Sequence, residues 1–160
     1  MKKFIYLAIA LIALPFALTS CSDDDDLPNV DYTIEIAGGV MDQTDNQIYV
    51  VQGDTLTIES LGVKNLDSNK VAAITGADYY WDYNWLGSSM LPPYGFKIVV
   101  TDETPVGKHL LQIKTGVVAV DKEPAIGIVA YEVNVVADST DLPGTANGRS
   151  FTVTPGIKAN

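Results

Sequence analysis

The sequence predicts an all-β protein, an antiparallel sandwich of about seven strands. Three observations carry this. Apolar and polar residues alternate in segment after segment, the period of two of a half-buried strand. Between these segments lie clusters of Gly, Pro, Asn and Asp, where turns belong. No helix of respectable length is visible beyond the first twenty residues.

The chain opens with a different kind of segment. Lys2 and Lys3 precede an apolar run from Phe4 to Leu18, broken late by Pro15. A charged start and a short apolar core are the marks of a secretory signal. A bilayer-spanning helix needs about 18 or more apolar residues in a row, so this run is too short for one. Leu18-Thr19-Ser20-Cys21 follows. It resembles a bacterial lipobox, in which an aliphatic residue and two small ones precede the cysteine that takes the lipid through a thioether. The competing reading is an ordinary secretory signal with a chance cysteine. Two or more lipid chains give stable anchoring, at about 0.8 kcal/mol per buried CH₂.

Ser22, Asp23, Asp24, Asp25 and Asp26 come directly after the cysteine. Four like charges in a row make a solvated, self-repelling tether. An acidic run at this place also resembles the surface-export signal of Bacteroidetes lipoproteins. That resemblance implies an outer-membrane anchor with the protein facing the exterior. A calcium site is the weakest reading, because four adjacent side chains on a tether cannot converge on one ion without ordering it.

Val30 to Ala37 starts the strands, with Tyr32, Ile34 and Ile36 on one side. Gly38-Gly39 turns the chain, and Ile48 to Val51 is a second short strand. Gln52-Gly53-Asp54 turns into Thr55 to Leu61. The phrase from Val50 to Ile58 resembles the early strands of bacterial immunoglobulin-like domains. Asn65 to Asn69 reads as a loop and Val71 to Thr75 as a short strand.

Asp78 to Leu86 reads Asp-Tyr-Tyr-Trp-Asp-Tyr-Asn-Trp-Leu. On one regular strand Tyr79, Trp81, Tyr83 and Trp85 would share a face. The stretch resembles the "WDF/WxxDG" region of polycystic-kidney-disease-type immunoglobulin-like domains. That resemblance implies a core tryptophan on the third main strand, and Trp81 takes the role. The pattern's glycine is displaced here to Gly87. Gly87 to Gly95 is a loop around Pro92-Pro93. Phe96, Ile98 and Val100 alternate with Lys97, Val99 and Thr101. Immunoglobulin-like domains often carry a tyrosine at the next corner, bonded to nearby backbone. Here Gly107-Lys108-His109 puts a histidine there. Lys108 to Val120 is a strand with a bulge at Gly116. Asp121 to Pro124 makes a hairpin loop, and Gly127 to Val136 returns with Val129, Tyr131, Val133 and Val135 inward. Phe151 to Thr154 is an extra strand or ordered tail. Asp54-Thr55-Leu56 and Asp138-Ser139-Thr140 match the short O-glycosylation pattern of Bacteroidetes.

The domain reading follows: 1–20 lipoprotein signal peptide, 21–29 lipidated acidic tether, 30–136 immunoglobulin-like domain, 137–160 linker with a C-terminal strand. The chain has 20 acidic and 10 basic residues among 160. Loss of the signal removes two lysines and takes the net charge from −10 to −12. Such a charge argues against nucleic acid as a partner. Cys21 is the only cysteine and His109 the only histidine. Disulfides, thiolate sites and histidine clusters are therefore excluded, and no metal or cofactor is expected.

Catalysis is not expected either. Gly87-Ser88-Ser89-Met90 is not a nucleophile elbow. Asp78 and Asp82 are four apart on one nominal face, a spacing usual for solvent-facing decoration rather than a glycosidase pair. Recognition is the better reading. Sugar rings present C–H faces on which aromatic rings stack, while amides and carboxylates bond the hydroxyls. Tyr83, Trp85 and Tyr94 are the candidate ligand-binding residues. The expected role is recognition of a glycan or of a partner surface protein. The alternatives are a structural spacer or assembly domain and, less favoured, a small hydrolase. The Bacteroidetes resemblance implies membership of a glycan-uptake system.

Overall fold

The computed structural model describes residues 27–42, 47–67 and 70–143, with the backbone of a final strand at 157–159. The signal segment, Cys21 and the run Ser22 to Asp26 lie outside the described residues. So does the strand expected at Phe151 to Thr154.

Ten strands are described: β1 Val30–Ala37, β2 Val40–Asp42, β3 Gln47–Val51, β4 Thr55–Asn65, β5 Ala72–Trp81, β6 Asn84–Ser89, β7 Phe96–Val99, β8 Gly107–Ala119, β9 Ala125–Val136 and β10 Ile157–Ala159. They form two sheets. One has the order β10-β1-β4-β7 and the other β2-β3-β9-β8-β5-β6. The chain crosses between sheets after β1, β3, β4, β6, β7 and β9, while the β2–β3, β5–β6 and β8–β9 hairpins each stay within one. Strands β1, β4 and β7 facing β6, β5, β8 and β9 make an immunoglobulin-like sandwich.

The alternation seen in the sequence is what the two sheets bury. Ile34, Leu56 and Ile58 point inward from the smaller sheet. Ile48, Val50, Tyr79, Leu111, Ile113, Val133 and Val135 meet them from the larger one. One core cluster joins all of these residues. A polar bond also crosses it: the Tyr32 hydroxyl on β1 and the Thr115 hydroxyl on β8 lie 2.5 Å apart, and both residues are buried. Burial pushes the Tyr32 pKa above its ordinary value, against the smaller lowering effect of that bond. Gly127 makes room for it, because a Cβ there would overlap the Tyr32 hydroxyl.

Four expectations need correction. The pairing is not antiparallel throughout, since β3 runs parallel to β9, with Ile48 opposite Val133 and Val50 opposite Val135. The chain leaves the smaller sheet at Gly38-Gly39 and enters the larger one as a β2–β3 hairpin. Its second arm therefore runs the same way as the last strand. Strand β4 runs on to Asn65, since β1 offers partners along its whole length, from Val30 opposite Asn65 to Ala37 opposite Thr57. The irregularity near Gly116 belongs to β5, where the register shifts between Ile74 and Gly76. The absent side chain of Gly116 accommodates the extra residue, Thr75. Most consequential, Asp78 to Leu86 is not one strand. It is the hairpin β5–β6, turning at Asp82 and Tyr83.

Candidate functional site

The β5–β6 turn is short and unusual. Trp81 pairs with Asn84, so Asp82 and Tyr83 alone close the hairpin. Their φ angles are 47° and 67°. Two-residue hairpin turns favour this left-handed pair because it matches the strand twist, and Asn-Gly usually supplies it. A bulky tyrosine at positive φ is uncommon and strained. The turn holds because Asp82 is bonded on several sides. Its N–H donates to the Leu110 carbonyl at 2.9 Å, and its Oδ1 accepts the Leu110 N–H at 2.8 Å. Its Oδ2 lies 2.7 Å from Nδ1 of His109. The Asn84 amide donates to the Asp82 carbonyl at 3.1 Å.

The hairpin presents two aromatics. Tyr83 at the tip is 76 % exposed and Trp85 is 61 % exposed. Trp85 stands opposite Tyr80, which stands opposite Gln112. The next row outward from the turn is Ser88, Asp78 and Lys114. Ser88 donates to the Asp78 carboxylate. The Lys114 ammonium sits 4.4 Å from the centre of the Tyr80 ring, within cation–π range. The outer face of the larger sheet thus carries aromatic rings bordered by an amide, a carboxylate, a hydroxyl and an ammonium. Further along it, Gly76, Gly116, Met90 and Ile126 help to line an open trough of about 320 Å³.

Tyr94 is not part of this surface. It is half-buried, packs against the core, and donates its hydroxyl to the Ile74 carbonyl. Its own carbonyl accepts the Tyr79 hydroxyl. The Pro-Pro loop is tied to β4 by the bond from the Leu61 N–H to the Pro93 carbonyl at 2.9 Å, while Leu91, Pro92 and Pro93 themselves stay exposed.

Trp81 also departs from its expected role. It is half-buried and caps the end of the core, with its indole stacked on the His109 imidazole at 5.0 Å. The fully buried aromatic of β5 is Tyr79, stacked on Phe96 at 4.5 Å and 11°. Burial pushes its pKa up to about 12. The reason is register. Tyr79 lies mid-sheet over the facing strands, while Trp81 is the last residue before the turn.

His109 occupies the corner as the sequence placed it. Its Nε2 is 2.7 Å from the Pro105 carbonyl oxygen, a backbone group four residues upstream. Asp78 and Asp82 do not converge: one is bonded to Ser88 on the sheet face, the other to His109 at the turn. Among the described residues, no group of three or more His, Cys, Asp or Glu could hold a metal ion. No helix among them is long and apolar enough to cross a membrane.

Of the three residues the sequence singles out, Tyr83 and Trp85 are exposed, while Tyr80, Gln112 and Lys114 beside them were not anticipated. No local signal marks these three, because their proximity comes from the pairing of β5 with β6 and β8.

No protein-family model and no curated protein matches the chain. Among solved structures, the fibronectin(III)-like modules of Clostridium thermocellum CbhA are similar over 68 % of this chain, at 16 % identity and a TM-score of 0.40. The match covers 48 % of that structure, so this chain spans about half its length.

Proposed function

We propose that this protein is a non-catalytic recognition module, lipid-anchored through Cys21 to the outer membrane and facing the exterior, whose β5–β6 hairpin binds glycan. One observation carries the glycan reading. Tyr83 and Trp85 stand exposed on a turn that Asp82 holds in place, and Tyr80, Gln112, Asp78, Ser88 and Lys114 lie beside them. Exposed rings supply stacking area for sugar C–H faces at little conformational cost. The polar neighbours supply directional bonds to hydroxyls. The side chains that could serve a hydrolase are engaged elsewhere: Ser88 bonds Asp78, and His109 bonds Asp82 and Pro105.

Recognition of a partner surface protein is the second reading. Met90, Ile126 and Ile128 favour it, as exposed apolar side chains beside the same sheet face.

Binding of the detergent-solubilised chain to a polysaccharide panel, read by tryptophan fluorescence, tests the proposal. Saturable binding is expected. Trp85→Ala should weaken it by about 2 kcal/mol or more, roughly thirtyfold in Kd, as for a central aromatic contact. Circular dichroism checks that the variant is folded. Absence of binding across the panel defeats the glycan reading and leaves the protein-partner one.

A further inference from the structure

His109 is the only histidine of the chain, and its side chain is only 9 % exposed. Its two ring nitrogens face two different segments. Nδ1 faces Asp82 Oδ2 in the β5–β6 turn, and Nε2 faces the Pro105 carbonyl in the loop 100–106, each at 2.7 Å. A carboxylate and a carbonyl oxygen both accept. A neutral imidazole carries one N–H and can donate to one of them; an imidazolium carries two. The two bonds coexist as donations only when the ring is protonated.

We propose that His109 is a proton-operated tie between the β5–β6 hairpin and the loop 100–106, fastening the aromatic hairpin when protonated and loosening it when neutral. As regulation of binding, this rests on the recognition reading above; as a conformational tie, it rests on the geometry alone.

The surroundings of the ring fit this role. Trp81 of β5 stacks on it and adds no charge, though a cation over an indole face is favoured. Val133 of β9 stands opposite His109 and is apolar. Lys108, adjacent on β8, is paired with Glu132 of β9 at 2.7 Å. Asp82 is the charge that reaches the ring. Burial pulls the imidazole pKa down, but the bonds to Asp82 and Pro105 and the Asp82 charge prevail and hold it above the ordinary value.

When the ring loses its proton, the remaining N–H stays on the carboxylate side, because a charge-assisted bond is the stronger one. The Nε2 lone pair then opposes the Pro105 oxygen, and that bond is lost. Asp82 keeps a neutral donor in place of a cation. The turn it holds contains Tyr83 at positive φ, a conformation that persists only while its surroundings enforce it.

An NMR pH titration of the full chain in detergent micelles tests the tie. The single histidine gives unambiguous ring signals. Their midpoint should lie above the free value of about 6.5. The amides of Val106, Leu110 and Tyr83 should move with the same midpoint. Asp82→Asn should lower the histidine midpoint and remove the Tyr83 response. His109→Gln, checked for folding by circular dichroism, should abolish the pH response at all three amides. A midpoint at or below 6.5, or amides that do not follow it, overturns the proposal.

Polysaccharide affinity on either side of the midpoint adds the functional arm, with stronger binding expected on the acid side. Equal affinity overturns the regulatory role. No binding at either pH, with the amides still following His109, defeats the recognition reading and leaves the tie standing.

Discussion

Protonation of a single side chain adds a pH-dependent increment to the stability of this fold. The folded-state pKa of His109 is raised: burial acts against it, but the Asp82 and Pro105 bonds outweigh that effect. A raised folded pKa means that the native state binds the proton more tightly than the unfolded chain does. The stabilisation is fully present below the unfolded value of about 6.5 and is lost as pH rises through the folded value. Urea midpoints measured across this window should fall with rising pH. In His109→Gln that step should disappear. A wild-type midpoint that rises over the same window would contradict the direction of the shift.

At the scale of elements, the contact between the two sheets is close enough to dictate residue size. Tyr32 on β1 reaches across to Thr115 on β8, and its hydroxyl lies where a side chain on β9 would begin. Gly127→Ala should therefore destabilise the fold by about 1–3 kcal/mol through overpacking. Tyr32→Phe removes the hydroxyl that the new methyl meets. In that background Gly127→Ala should cost less, because the closest overlap is removed while the ring carbon at 2.9 Å remains, and a double-mutant cycle by chemical denaturation should return a clear coupling energy. Additive effects would mean that β1 and β9 are not in contact at this point. The same scale explains the β5–β6 hairpin. β6 pairs with β5, and β5 in turn with β8, so the turn between them can carry strained, exposed residues.

For the molecule as a whole, the anchor and the sandwich make separate claims. The sandwich has one core shared by both sheets. The anchor reading depends on Cys21, six residues before the first described one. Cys21→Ser should move the protein from the membrane fraction to the soluble fraction, with the circular dichroism of the sandwich unchanged. Retention in the membrane fraction would point to a tether other than lipid. On the proposed removal of the signal, the net charge of −12 would disfavour polyanionic partners.

The class of the fold and most of its inward faces are legible in the chain alone. Alternation of period two depends only on which side of a strand faces the core, and Ile34, Ile58, Val133 and Val135 were legible for that reason. The sequence also placed the histidine corner, because a Gly-x-aromatic phrase is local. Long-range pairing belonged to the tertiary structure. The aromatic stretch looked like one strand because Asp82-Tyr83 is not a usual turn pair. Besides the local bond from Asn84, Asp82 is held in the turn by Leu110 and His109, some 28 residues away. That turn breaks the single stripe of rings, sends Tyr79 into the core and leaves Tyr83 and Trp85 outside. Tyr94 was misplaced for a similar reason, since its inward position depends on bonds to Ile74 and Tyr79, which no local pattern encodes. Pattern along the chain decides which face of a strand is buried, and contacts between distant strands decide where the chain turns and which rings meet solvent.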